Sequence, residues 1–239
     1  MMFKTKGIVF NAVKFSETSL VVKIYTADFG LQSFIVKGVR SSGKSGKAAL
    51  FSVMNILELE MYHRENKELQ YLKEFRSAFV FKTIQTDILK SSIALFLAEV
   101  LYKCIQEEEA NPELYRFIEQ TLIALDESPR AESNLHLVFL LNFTRYLGFP
   151  PNDNANNNSE YFDLRDGNFV NEMPEHSYFV AQPHCANLKK LLSGAMNFPL
   201  SVTDRNLLLE KILLYYKLHL QSFKKVTSHH VLHEVLEIY

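Results

Sequence analysis

At 239 residues, 47% hydrophobic and 22% charged, the chain holds enough apolar material for one large domain or two small ones, in the proportions of an ordinary globular protein. Two cysteines, Cys104 and Cys185, exclude a disulfide framework and a Cys-rich zinc finger, and no stretch approaches the length of a membrane span or a signal peptide core, so a cytoplasmic protein is expected. The net charge of −1 divides unevenly: residues 1–82 carry 13 Lys/Arg against 7 Asp/Glu and the remainder 13 against 20, which points the first part at a polyanion.

The first third reads as strands. Gly7–Phe15, Leu20–Thr26, Gln32–Val39 and Ile56–Tyr62 are rich in β-branched and aromatic residues, and Leu57, Leu59 and Met61 alternate with polar neighbours. Leu69–Arg76 makes a fifth. Short turns separate the runs: Ser16–Ser19, Asp28–Gly30 and His63–Lys67. Five short strands with one longer loop fit a small closed barrel of the OB type, which leaves no open edge.

The longer loop follows the third strand. From Ser33 to Lys47 the chain passes into Gly, Ser and the cations Lys37, Arg40, Lys44 and Lys47, with no acid among them. Gly38–Ser45 also satisfies the phosphate-loop pattern G-x-x-x-x-G-K-[ST]. A nucleotide hydrolase needs that loop to enter a helix within a βαβ unit, and needs a later magnesium-binding Asp. Here Gly46 follows Lys44, the chain soon returns to a strand, and neither partner feature is visible. A basic loop that reaches for a phosphate backbone fits better.

From about Phe79 the period changes. Ile93, Phe96, Leu97, Val100, Leu101 and Ile105 fall on one helical face, ending near Glu107–Glu109. Asn111-Pro112 opens the next helix, which stops around Ser128-Pro129. Leu135–Leu147 is apolar on most sides, as in the central helix of a bundle, and Gly148 ends it. Asn152–Asn158 reads as a polar loop without the means to pack. Tyr161–Leu164 and Asn168–Val170 flank Asp166-Gly167, a two-residue hairpin turn. Another helix runs from Asp204, and Ser228 caps a last one through Leu236. The expected fold is therefore α+β: an OB-fold barrel over residues 1–80, then a helical bundle domain over 81–239 with a hairpin near 160–172.

Several chemistries can be weighed. The pair His229/His233 has helical i, i+4 spacing, but the Glu of a metalloprotease is absent and such histidines are more often ordinary polar groups. No nucleophile elbow is present. Nucleic-acid binding accounts for more features together: Lys14, Lys23, Lys37, Arg40, Lys44, Lys47, Arg64, Lys67, Lys73 and Arg76 lie on strands and loops, with Tyr25, Phe34, Tyr62 and Tyr71 among them. Cations neutralise phosphates and ring faces stack on unpaired bases. Phe34 and Tyr62 are taken as stacking residues, although each aromatic could equally fill the barrel.

The stretches Phe15–Leu20, Tyr25-Thr26, Gly30, Ile35–Ser41 and Ala49-Leu50 resemble the N-terminal domain of the RecO family of DNA repair proteins. Ala98–Leu101, Leu147–Phe149 and the Phe162-Asp163…Gly167–Phe169 segment extend the likeness along nearly the whole chain. The resemblance implies an OB-fold followed by a helical domain, in a recombination mediator that is not an enzyme, hydrolyses no nucleotide and uses no cofactor. It further implies binding to single- and double-stranded DNA, annealing of complementary strands, and a nucleoid-associated location. As partners it implies RecR and the acidic tail of single-stranded DNA-binding protein, which help RecA to load. Arg145, Lys189, Lys190, Arg205 and Lys211 are candidates to receive that tail. Many relatives carry a four-cysteine zinc site after the segment matching Leu147–Phe149; its cysteines are absent here, so no metal is expected. An RNA-binding OB protein and a small nucleotide hydrolase remain the alternatives.

Overall fold

The computed structural model describes residues 1–40, 45–64, 67–105, 109–129, 133–156 and 159–238. Five strands close into a barrel: β1 (Met2–Lys14), β2 (Leu20–Thr26), β3 (Gly30–Val36), β4 (Ile56–Tyr62) and β5 (Leu69–Ser77), in the spatial order β1-β2-β3-β5-β4. All neighbours are antiparallel except β3 and β5. The first strand is longer than its apolar pattern indicates because it serves two partners. Met2–Ile8 pairs with β4, and Gly7–Lys14 pairs with β2 across a bulge between Val9 and Asn11. Bulges sharpen the bend that closure needs.

Alternation decides what fills the barrel. Val9, Val22, Ile24, Phe34, Val36, Leu57, Leu59 and Met61 point inward and are buried together. Gly7 stands where the walls approach: a Cβ there would lie 2.5 Å from Cγ2 of Ile24, so no larger residue fits without displacement. After β3 the chain forms a one-turn helix, α1 (Ser45–Ala49), which the glycine-rich sequence did not announce. Val39 before it and Phe51 after it are both buried in the barrel core, so the basic stretch is held at its two ends.

Two long helices follow, α2 (Ile88–Cys104) and α3 (Pro112–Glu127), with Asp87 and Asn111 as side-chain N-caps. Packing divides the chain into two compact units, Met1–Ser128 and Pro129–Tyr239. The change from strand to helix near residue 80 and this division are thus separate boundaries. Within the first unit, Tyr25 stacks on Phe10 and on Tyr115 of α3, and Lys6 pairs with Glu119 at 3.1 Å. The segment between barrel and α2 is tied to the end of α3 by Asp126. Its buried carboxylate accepts the backbone N–H groups of Lys82, Thr83 and Ile84 at 2.8–3.0 Å. The buried Lys90 ammonium donates to Thr83 Oγ1 and to the carbonyls of Asp126 and Ser128.

The second unit contains α4 (Leu135–Phe143), α5 (His184–Leu192), α6 (Val202–His219), α7 (His229–Ile238) and a small sheet. Helix α4 is shorter than its apolar run, because the chain turns from Thr144 and reverses at Gly148, whose φ is +84°. The predicted hairpin is a three-stranded sheet of order β7-β6-β8: β6 (Tyr161–Asp163), β7 (Asn168–Val170) and β8 (Phe179–Ala181). Three residues are too few for β8 to show a period. The two-residue turn is also corrected: Asp163 pairs with Asn168, and Asp163 Oδ1 accepts the N–H groups of Arg165 and Asp166. Gly167 closes that turn at φ +66°, and a Cβ there would meet Tyr215 Oη at 2.7 Å.

The asparagine tract overturns its reading as a loop unable to pack. Asn154 donates to the carbonyl of Phe169 and accepts its N–H at 3.0 and 2.9 Å, so one side chain imitates a strand partner along β7. Asn152 Nδ2 reaches Asn168 Oδ1 at 2.8 Å, and Lys189 Nζ reaches the carbonyl of Asn156 at 2.8 Å. Asn157 and Asn158 lie outside the described residues. Replacing Asn154 by Ala removes both bonds to a half-covered edge, and is expected to cost about 1–3 kcal/mol in a denaturant melt.

Candidate nucleic-acid interface

Strand register sorts the cations between the two ends of the barrel. The last residue of β1, Lys14, faces Leu20 at the start of β2, and Leu20 faces Val36 at the end of β3. Ile35 faces Tyr71 of β5, just beyond the β4–β5 turn that carries Arg64 and Lys67. Because β5 runs parallel to β3, that turn lies beside the start of β3, where the His63 and Phe29 ring centres are 4.7 Å apart; Lys14 and Lys37 thus mark one end of the barrel and Arg64 and Lys67 the other, all exposed. Lys47 is exposed on α1, and Lys23 lies on the outer face of β2, opposite Asn11 and Ser33. Among the described residues, none of these six makes an ion pair with a carboxylate. Cations left unneutralised on a surface are those that gain most from a phosphate.

Other predicted cations are already engaged. Arg76 pairs with Glu58, its Nε lying 2.7 Å from the carboxylate, and Lys73 stands 3.6 Å from Glu60. Lys4 takes the other Glu60 oxygen at 2.8 Å, and that hydrogen bond holds the Glu60 carboxyl below its ordinary range. The outer face of β1, β4 and β5 is thus a mixed-charge groove lined by Lys4, Lys6, Glu58, Glu60, Glu74 and Arg76. Its acids offset its bases, so Lys73 and Arg76 are weaker phosphate ligands than the sequence implied.

Arg40 is exposed but committed. Its guanidinium donates to the carbonyls of Ser16 and Glu17, and its backbone N–H donates to Thr18. It ties the basic stretch to the β1–β2 turn, and keeps its positive charge there. Gln70 does the equivalent for the other loop: buried, it donates to the carbonyls of Arg64 and Lys67 and accepts the Arg64 N–H at 3.0 Å. Lys44 lies outside the described residues.

Two aromatic assignments separate cleanly. Phe34 is 0% exposed inside the barrel, which corrects its reading as a stacking residue: the inward phase of β3 puts its ring where no base can reach. Tyr25 is likewise covered. Tyr62 and Tyr71 are each 45% exposed, directly opposite one another on β4 and β5, with Lys37 Nζ 5.7 Å from the centre of the Tyr71 ring. Sequence alternation puts Phe34 and Val36 on one face; what it lacked was which face turned inward. The register also reveals neighbours that sequence reasoning passed over. Met2, Tyr62, Tyr71, Ile35, Val21 and Val13 are successive cross-strand partners, forming one apolar row around the outside of the barrel.

In the second unit the cations proposed for an acidic tail are less available. Arg205 is buried, donating to Asn134, Ser133 and the Leu200 carbonyl. Lys189 holds the asparagine tract, and Lys190 lies over Phe198 at 5.2 Å. Arg145 is exposed and Lys211 half-buried. The segment where many relatives would hold zinc does not fit a metal: among the described residues no three His, Cys, Asp or Glu side chains converge. Phe162 packs on Phe169 and Tyr215 instead, with ring centres 4.8 and 6.0 Å apart.

Two family models match: "Recombination protein O N terminal" over residues 1–81 and "Recombination protein O C terminal" over residues 85–228. Among curated proteins, "DNA repair protein RecO" of Flavobacterium johnsoniae is 41% identical, with 98% of this chain and 99% of that protein aligned. The proteins of the same name from Flavobacterium psychrophilum and Phocaeicola vulgatus are 39% and 37% identical, with the same coverage.

Proposed function

Because the chain belongs to the recombination protein O family of DNA repair proteins, we propose that the barrel binds DNA backbone and anneals complementary strands without a chemical step. The observation that carries this reading is a rim of cations without a carboxylate partner among the described residues, Lys14 and Lys37 at one end of the closed barrel and Arg64 and Lys67 at the other, with Lys23 on the outer face of β2 and Lys47 on α1. Such a rim neutralises phosphates and releases counterions, which lowers the repulsion between two approaching strands. Base edges stay free to pair. Arg40 contributes by fixing the shape of the rim, and Lys44 extends it in sequence.

In this reading the protein works on DNA coated by single-stranded DNA-binding protein and, with RecR, helps RecA to load. Of the five candidates named for an acidic tail, Arg145 and Lys211 are the two with no recorded side-chain contact among the described residues. The division into a DNA-binding part over residues 1–80 and a helical part over 81–239 belongs to the same proposal. No nucleotide enters it. The phosphate-loop letters lead only into the single turn of α1, and the chain then crosses into an antiparallel barrel strand rather than a βαβ unit.

The test is annealing of complementary oligonucleotides in the absence of nucleotide. The expected result is faster annealing than with DNA alone, and affinity that falls steeply and linearly in log–log form with salt. Absence of acceleration at low salt rejects the reading. Competition by RNA of equal length separates DNA from RNA preference, since contacts to phosphate alone tolerate either sugar.

A further inference from the structure

The geometry points to Tyr71, with Tyr62 beside it, as a stacking platform for an unpaired base, and hence as the element that favours single strands over duplex. This rests on the proposal that the barrel binds DNA. Tyr62 and Tyr71 are cross-strand partners with half-exposed rings, in the apolar row that continues through Ile35 and Val21 to Val13. Ile35 is the most covered of these at 9% exposed, while Val13 is exposed beyond it, so the row offers contact area rather than a deep pocket.

Cations stand on both sides of the row. Lys37 follows Ile35 by two residues and covers Tyr71; Lys23 follows Val21 by two on the antiparallel neighbour, beside Ser33. At the rise of a strand each lies roughly 7 Å from the row along the barrel wall, in opposite directions. A nucleotide needs this pairing of surfaces, with a ring face for its base and a cation within reach of each flanking phosphate. The Lys37 contact with Tyr71 is exposed and exchangeable: the ammonium can leave the ring for a phosphate as the base takes its place. Duplex DNA keeps its bases stacked on one another, so it can use the cations but not the ring.

Binding of a labelled oligothymidylate and of a duplex of equal length, at one salt concentration, tests this with Tyr71→Ala, Tyr71→Leu and Tyr71→Phe. Leucine keeps the cross-strand packing without a π face; phenylalanine keeps the ring. Tyr71→Ala and Tyr71→Leu are expected to weaken single-strand binding roughly tenfold while duplex binding stays within about twofold and the salt slope is unchanged. Tyr71→Phe is expected to bind as the parent does, and Tyr62→Ala to shift single-strand binding in the same direction. Equal losses on both DNAs, or no loss on the single strand with the leucine variant, overturn the platform and leave the basic rim standing. Failure of the parent protein to bind either DNA overturns the rim itself and the platform with it.

Discussion

Reversing Lys14, Lys37 and Lys47 together to Glu is expected to lower DNA affinity by roughly a hundredfold or more near physiological salt, and to reduce the slope of log K against log salt by about one for each phosphate no longer neutralised. These three are exposed, none pairs with an acid among the described residues, and none supports the barrel core. The melting temperature should therefore stay near that of the parent. Arg40 is deliberately left out. Its guanidinium closes on the carbonyls of Ser16 and Glu17, so its loss would loosen the β1–β2 turn as well as remove a charge. The contrasting variant is Lys73→Glu with Arg76→Glu, placed among Glu58 and Glu60. Its effect on binding should be several-fold smaller per charge. Equal effects from the two sets would show that total charge governs binding and its position on the barrel does not.

The largest stability effect is expected at Asp126. Its carboxylate accepts three backbone N–H groups and the Thr83 hydroxyl, and the adjoining carbonyl takes the buried Lys90 ammonium. Asp126→Ala takes the acceptor from the N–H groups of Lys82, Thr83 and the buried Ile84, while the Thr83 hydroxyl and the Lys90 ammonium keep the Asp126 carbonyl, at a cost of about 3–5 kcal/mol. For a unit of this size that is roughly 10 °C or more in Tm, measured by circular dichroism. Burial alone would push the Asp126 carboxyl up, but the N–H donors of Lys82, Thr83 and Ile84 outweigh it and hold it below the ordinary carboxylate range. A depressed folded-state value fixes the sign: the stabilisation is present above the unfolded carboxylate value of about 4 and is lost as pH falls through the folded one. The parent should lose this increment on acidification, while Asp126→Ala should show a flatter acid limb. A melt in which the two proteins run parallel between neutral and acidic pH would reject this account.

Much of the fold was legible because its signals are local. Leu57, Leu59 and Met61 alternate with Glu58 and Glu60, and the strand found is the one their pattern outlines, Ile56–Tyr62. Asn111 caps α3 through the Leu114 N–H at 3.0 Å, as its place before Pro112 indicates. What escaped was whatever depends on pairing across the chain. The double partnership of β1 lengthens it beyond its apolar run, and β8 exists only because β6 offers it an edge. The asparagine tract looked inert because amides carry no hydrophobic signal; its capacity to satisfy the edge of β7 appears only once that edge is present. At the candidate interface, sequence identified the cations but not their company. Lys73 and Arg76 read the same as Lys37 until Glu58 and Glu60 are seen beside them. Phe34 and Tyr71 read alike until the phase of each strand puts one inside the barrel and the other out.

Val39 and Phe51 act as two moorings sunk in the same interior, with the charged span slung between them. Because closing a slightly longer span costs only a few tenths of a kcal/mol, residues can be added or removed there while the barrel walls stay as they are. The distance over which this module can touch a polyanion is in that sense adjustable independently of the scaffold that carries it.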